Sequence, residues 1–305
     1  MKVCSFLPSA TEVVFALGLG ENLCGVTNEC DYPPEARGKP VVVQSLLDPS
    51  AMGQGEIDAR VVSDISHGHG IYRINRDLLF REKPDVVITQ ELCDVCSVSL
   101  REVLKTVSEL STRCRVVSLA PHGLEGVFDD ILEIGDACGA GSRAQALVSE
   151  LRGRAGVVRD ASRSLPRKRV FCVEWYDPLF APGHWIPEMV EIAGGTEVVG
   201  RAHEDSRRVA WEEVVEKDPE VIVLMPCGFS VERAVSDLGL LQRLKGWEDV
   251  SAVRDGNVYA TDGSSFFSRP GPRLVDGLEI LARAIHPEAF GESADPDRLL
   301  RAGTL

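Results

Sequence analysis

Four cysteines and a group of aromatic side chains are the residues of this chain whose types and spacing could do chemistry. Cys93-Asp94-Val95-Cys96 sets two thiols two residues apart. At that spacing a pair of thiolates can bind one tetrahedral zinc ion, join an iron–sulfur cluster or cycle as a redox pair. Cys30 and Cys227 each follow a predicted strand, so the four together form a candidate metal set. Reduced thiols lining an apolar pocket are the alternative. The other five cysteines, Cys4, Cys24, Cys114, Cys138 and Cys172, fall within predicted strands or near a helix end and read as small buried hydrophobes. His67-Gly68-His69 is spaced to chelate, but a solvated loop explains it as well. The aromatic group comprises Trp175-Tyr176, Phe180, His184-Trp185, Phe229 and Phe266-Phe267, with Arg269 and Arg273 close behind. Only 18 aromatic residues occur in the chain, so their concentration after predicted strands is hard to assign to core packing. Aromatic faces beside a few fixed polar groups suit a large flat ligand. Trp175, Trp185, Phe229 and Phe267 are therefore the expected stacking surfaces, with Tyr72 added from the first half. His184 or Arg269 would meet the ligand's polar edge, and a neutral His184 could donate to a metal.

These residues need a scaffold, and the pattern supplies one. Short apolar runs alternate with helical periodicity, which predicts an α/β fold with parallel strands. The first-half strands are expected at Val3–Leu7, Leu23–Thr27, Asp85–Gln90 and Arg115–Ala120. Those of the second half are expected at Arg169–Trp175, Thr196–Val199, Val221–Pro226 and Asn257–Thr261. Ser9-Ala10-Thr11-Glu12 and Ser142-Arg143-Ala144-Gln145 each fit a helix-starting capping box. The second opens the longest helical stretch, with Ala144, Leu147, Val148, Leu151, Ala155 and Val158 on one face and Pro166 ending it. The halves also echo each other. Arg76 to Ile88 and Trp211 to Val223 are both a helix, a Pro-acid turn and an apolar strand. The expected architecture is thus two parallel-sheet α/β lobes, residues 1–138 and 167–305, joined by a long backbone helix within 139–166. The ligand cleft lies between the lobes, because ligands of open α/β sheets bind beyond the carboxyl ends of the strands.

Composition narrows the function. The chain has 305 residues, with 33 Lys and Arg against 47 Asp and Glu, for a formal charge of −14. A nucleic-acid partner would want a basic face, and an anionic membrane surface would repel such a protein. No apolar run approaches the roughly 18 residues of a membrane span. The stretch after Lys2 lacks the features of a signal peptide, which points to the cytoplasm and to reduced cysteines. No phosphate-cradling loop, dinucleotide fingerprint or nucleophile elbow is present, and nothing in the sequence demands a reaction.

Ser5-Phe6-Leu7-Pro8-Ser9-Ala10-Thr11-Glu12, Gly18-Leu19-Gly20 and Gly25-Val26-Thr27 resemble the opening of the vitamin B12 and iron-siderophore substrate-binding proteins. Lys83-Pro84-Asp85-Val86-Val87-Ile88 and Asp218-Pro219-Glu220-Val221-Ile222-Val223 resemble that family's paired pre-strand motifs. The segments Asn28 to Pro33, Thr89 to Cys96 and Arg269 to Arg273 are similar to a signal-less subgroup usually labelled cobalamin-binding protein. The resemblance implies two α/β lobes on a rigid helix and a cobalamin or other metal chelate as ligand. It also implies permease docking through one Glu per lobe, at positions matching Asp77 and Glu212 here, the first shortened to Asp. Two functions follow as expectations. One is a cytosolic binding protein for a corrinoid or related chelate. The other is a zinc- or iron–sulfur-dependent enzyme or metallochaperone using Cys30, Cys93, Cys96 and Cys227. An exported receptor with disulfides is a third reading, which requires a leader.

Overall fold

The computed structural model describes residues 1–67, 70–91, 98–110 and 113–302. The chain is α/β and divides into two compact units. The first comprises Met1–Pro121 with Glu125–Glu150, and the second His122–Leu124 with Leu151–Leu305.

In the first unit, strands β1 (Val3–Ser5), β2 (Leu23–Thr27), β3 (Val41–Ser45), β4 (Tyr72–Ile74), β5 (Val86–Gln90) and β6 (Arg115–Leu119) form one sheet in the order β4-β3-β2-β1-β5-β6. All its pairings are parallel except β3 with β4 at the edge. Every residue of β5 is buried, as a strand covered on both faces requires, and this is why it reads as a continuous apolar run. The first helix departs from expectation. It spans Pro8–Ala16 with Leu7 at the cap position and Pro8 in its first turn, so Ser9 lies inside the helix. A proline fits there because it has no N–H to satisfy. The Ser9 hydroxyl is buried without a hydrogen-bond partner instead of capping.

In the second unit, β7 (Lys168–Val173), β10 (Gly195–Glu197), β12 (Val221–Leu224), β13 (Val258–Thr261) and β14 (Leu299–Arg301) pair in the order β10-β7-β12-β13-β14. The first four run parallel and β14 is antiparallel. Between β7 and β12 the chain builds a small antiparallel sheet from β8 (Trp175–Tyr176), β9 (Leu179–Ala181) and β11 (Arg207–Arg208). Trp175 thus belongs to a separate two-residue strand and does not end β7. The core gathers Phe171, Ile222, Leu224 and Leu241 with Trp211 and Trp247, whose rings lie 5.5 Å apart.

The long helix spans Gly141–Ser162, and the division between units falls within it. Its 22 residues extend about 33 Å at 1.5 Å per residue. It starts before Ser142, so the expected capping box is not at its start. Gly153 and Gly156 do not interrupt it. Among the described residues no helix is long and apolar enough to cross a membrane.

The echoed segments share one device. The helices Arg76–Glu82 and Trp211–Lys217 end on Lys83 (φ 51°) and Asp218 (φ 42°), both left-handed. Pro84 and Pro219 follow and prevent the helices from continuing, which turns the chain into β5 and β12. Asp218 is further held by the Ser251 N–H and hydroxyl, at 2.8 and 2.7 Å.

Candidate functional site

The crevice beyond the carboxyl ends of parallel strands is where such folds bind ligands, and in the second unit three strand-end segments build it. Glu174 and Trp175 follow β7, Met225 to Phe229 follow β12, and Asp262 to Arg269 follow β13. Backbone bonds join them. The Cys227 N–H donates to the Glu174 carbonyl at 3.1 Å, and that of Ser264 to the Phe229 carbonyl at 3.3 Å. The Trp175 indole N–H donates to the Asp177 carbonyl at 2.9 Å, and its ring meets Phe229 at 5.2 Å and 56°. Phe229 is buried, with the Arg233 guanidinium 4.9 Å from its ring centre. Trp175 is only half-buried, so part of this pinned aromatic side chain stays open to solvent.

The remaining expected stacking residues are placed differently. Trp185 and Phe267 are buried at 4% and 3% exposure, and the Trp185 indole N–H donates to the Phe267 carbonyl at 2.9 Å. Their faces are committed to packing, and they brace the site. Arg269 is half-buried just past the helix Gly263–Phe266. Tyr72 belongs to the first unit, where its hydroxyl lies 3.4 Å from a Glu29 carboxylate oxygen.

His184 has φ +51°, a conformation that non-glycine residues seldom adopt, and His203 (φ +63°) shares it. The two are tied by backbone, the His203 N–H donating to the His184 carbonyl at 2.9 Å. The His184 ring lies 5.5 Å from Trp185 and 6.2 Å from His122. Its Nδ1 is buried without a partner, while Nε2 stands 3.9 Å from an Asp205 carboxylate oxygen. Burial lowers the pKa of this imidazole, against the pull of Asp205. It is therefore neutral at neutral pH, the form that donates to a metal.

Two buried carboxyl groups behind this surface were not foreseen from sequence. Glu197 accepts the N–H groups of Cys172, Val199 and Gly200 at 2.9, 3.0 and 3.1 Å, yet desolvation pushes it up to about 7. Burial pushes Glu174 up to about 7 as well, opposed by the Ser206 hydroxyl and the Gly183 N–H and aided by the Glu197 charge. Glu197 thus ties β7 to the Val199–Gly200 turn, while Glu174 holds the loop that carries His184 through Gly183 and Ser206. Gly183 is indispensable to that loop: a Cβ there would stand 2.3 Å from the Glu204 carbonyl oxygen and 2.5 Å from the Ser206 nitrogen. An acidic residue directly after an apolar strand was the available signal for Glu174.

The candidate metal set is not supported. Cys30 is buried and its sulfur contacts the hydroxyls of Thr11 (3.1 Å) and Thr27 (3.3 Å), an arrangement of internal packing. Cys227 is exposed and lies in the second unit. Cys93 and Cys96 fall outside the described residues, as does His69. His67 Nδ1 lies 2.7 Å from the Ser63 carbonyl oxygen at the end of its helix. Among the described residues no group of three or more His, Cys, Asp or Glu could hold a metal ion. Asp77 and Glu212 are exposed in the first turns of the two echoed helices.

Comparison with known proteins agrees with the architecture. A curated relative, an uncharacterized ABC transporter substrate-binding lipoprotein of Bacillus subtilis, is 25% identical over 297 residues, 95% of this chain and 82% of its own length. The vitamin B12-binding protein of Vibrio cholerae is 25% identical over 288 residues, 91% of this chain and 86% of its own. The crystal structure of the periplasmic vitamin B12-binding protein of Vibrio cholerae superposes with a TM-score of 0.68 at 22% identity, covering 93% of this chain and 96% of its own. The periplasmic heme-binding protein of Roseiflexus superposes with a TM-score of 0.70 at 20% identity, covering 94% and 98%. The family profile described as "Periplasmic binding protein" matches residues 3–264, and the chain belongs to that family.

Proposed function

We propose that this protein is a substrate-binding protein of the ABC-transporter type whose ligand is a corrinoid or a related metal chelate. The observation that carries the reading is Trp175, an aromatic surface pinned at the carboxyl end of β7, backed by Phe229 and left half open to solvent. A flat macrocycle offers such a surface a large apolar face, and the polar neighbours fix its orientation. Half-buried His184, neutral and set in a strained turn, and half-buried Arg269 are the groups we assign to the ligand's polar periphery. Relatives named for vitamin B12 and a structural neighbour named for heme make the same two ligand classes the first to try.

The test is a visible-absorption titration of the purified chain with cyanocobalamin and, separately, with hemin. The reading expects a saturable spectral shift with one of them at a stoichiometry near one. Neither shifting at ligand concentrations up to about 1 mM, the weak end of specific binding, would reject the chelate.

A further inference from the structure

Two of the described cysteines touch. Cys4 in β1 and Cys24 in β2 place their sulfurs 3.6 Å apart. The strands are parallel, and their register pairs Val3 with Leu23 but Cys4 with Gly25, so Cys24 is the extra residue of an irregularity. That slip brings two side chains of neighbouring strands together. Gly25 takes part by what it lacks, since a Cβ there would stand 2.8 Å from the Cys4 sulfur. Cys4 and Cys24 are diagonal neighbours on strands about 4.8 Å apart with a rise of about 3.3 Å per residue, which sets their Cα atoms about 6 Å apart, inside the roughly 4.4–6.8 Å that a disulfide tolerates. Closing the bond requires the sulfurs to move from 3.6 Å to about 2.05 Å with a Cβ–S–S–Cβ dihedral of about 90°.

The two thiols differ as a reacting pair should. Cys4 is fully buried, whereas Cys24 is half-buried and can be reached. Cys24 is pushed toward thiolate chiefly by the hydrogen bond from Cys4, with the Lys2 ammonium assisting against burial and the Glu82 charge. The same bond and burial push Cys4 up. Cys114, nearby, is pushed up to about 11 by desolvation, and burial also raises Cys138 and Cys172. The nucleophile and its resolving thiol are therefore distinct, and both lie in a sheet remote in sequence from the Trp175 surface.

We propose that Cys4 and Cys24 form an oxidation site that closes to a β1–β2 disulfide when Cys24 meets a hydroperoxide. The Cys24 thiolate attacks the outer peroxide oxygen, the O–O bond breaks, and the departing alkoxide or hydroxide takes up a proton. The sulfenic acid left on Cys24 is then attacked by the Cys4 sulfur. The S–S bond forms, the S–O bond breaks, and water leaves carrying the Cys4 proton. The two sulfurs together lose two electrons, which reduce the peroxide.

Peptide mapping tests this directly on the full chain. Trypsin releases Val3–Arg37, which holds Cys4, Cys24 and Cys30, and cleavage after glutamate separates them into Val3–Glu12, Asn22–Glu29 and a Cys30 peptide. The fully reduced protein is treated with hydrogen peroxide, alkylated and digested with both proteases. The expected product is Val3–Glu12 joined to Asn22–Glu29, lighter by two hydrogen atoms than the free pair and split by a phosphine. It persists in Cys30→Ser and is lost in Cys24→Ser. Recovering Cys24 as an alkylatable thiol, as a sulfinic acid beside free Cys4, or linked to Cys30 or Cys114 would overturn the proposal. The wild-type map decides the matter even if a variant fails to fold.

Discussion

At the end of β2, Cys30 sits between the hydroxyls of Thr11 and Thr27, buried and supplied with partners from its own unit. At the end of β7, Trp175 is half open and the nearby His184 keeps a buried nitrogen without a partner. Both places are strand ends of parallel sheets, where this class of fold puts its chemistry. The first has spent its polar capacity on itself, and the second keeps capacity in reserve behind a strained loop. Strand-end position alone is thus a weak guide to a site. What separates the two is whether the local hydrogen bonds are closed.

Mutations can sharpen or break that contrast. The largest effect is expected at Gly183→Ala, where the new Cβ overlaps backbone atoms of the Glu204–Ser206 strip. Thermal or urea unfolding should show a loss of about 3 kcal/mol, at the upper end of overpacking costs. A near-neutral result would mean that the loop carrying His184 is not held as described.

Next comes the acidic pair. Glu174 rises from an ordinary 4.5 to about 7 in the folded chain. Between those values the native state binds a proton that the unfolded chain has released. The stability this contributes is fully present below about pH 4.5 and is lost as pH rises through 7, and Glu197 has the same sign. Glu174→Gln should flatten that decline and raise stability at pH 8 by about 1–2 kcal/mol. Urea midpoints at pH 5 and pH 8 check it, and a wild-type stability that rises across the window would contradict it.

Smaller again is Cys30→Ala, which takes one partner from each of two threonine hydroxyls, Thr11 keeping the Leu7 carbonyl and Thr27 the Glu29 N–H, and should cost about 1 kcal/mol. Ligand affinity should not change, whereas a metal-binding Cys30 would take bound metal with it. Least of all, Asp77→Ala and Glu212→Ala alter exposed first-turn carboxylates. Calorimetry should find stability within about 0.5 kcal/mol of the wild type, again with ligand affinity unchanged.

Most parallel strands were legible because buried strands read as apolar runs, although β3 (Val41–Ser45) was missed, and the two Pro-acid turns marked β5 and β12 accurately. The antiparallel β8-β9-β11 sheet was not legible, since strands of two or three residues are too short to show a period. Ser9 misled because Pro8 satisfies the helix start without a side-chain cap. Trp185 and Phe267 misled because residue type and strand-end position cannot tell a face turned outward from one packed inward. The desolvation of Glu174 and Glu197 and the meeting of Cys4 with Cys24 depend on loop packing and strand register. Neither is local to the sequence.

The central claim, that the open Trp175 surface holds a metal chelate, is tested most directly by Trp175→Ala in the absorption titration. Removing the ring should weaken cyanocobalamin or hemin binding at least tenfold, about 1.4 kcal/mol, while the unfolding midpoint stays near that of the wild type. Unchanged affinity in a folded Trp175→Ala protein would contradict the account.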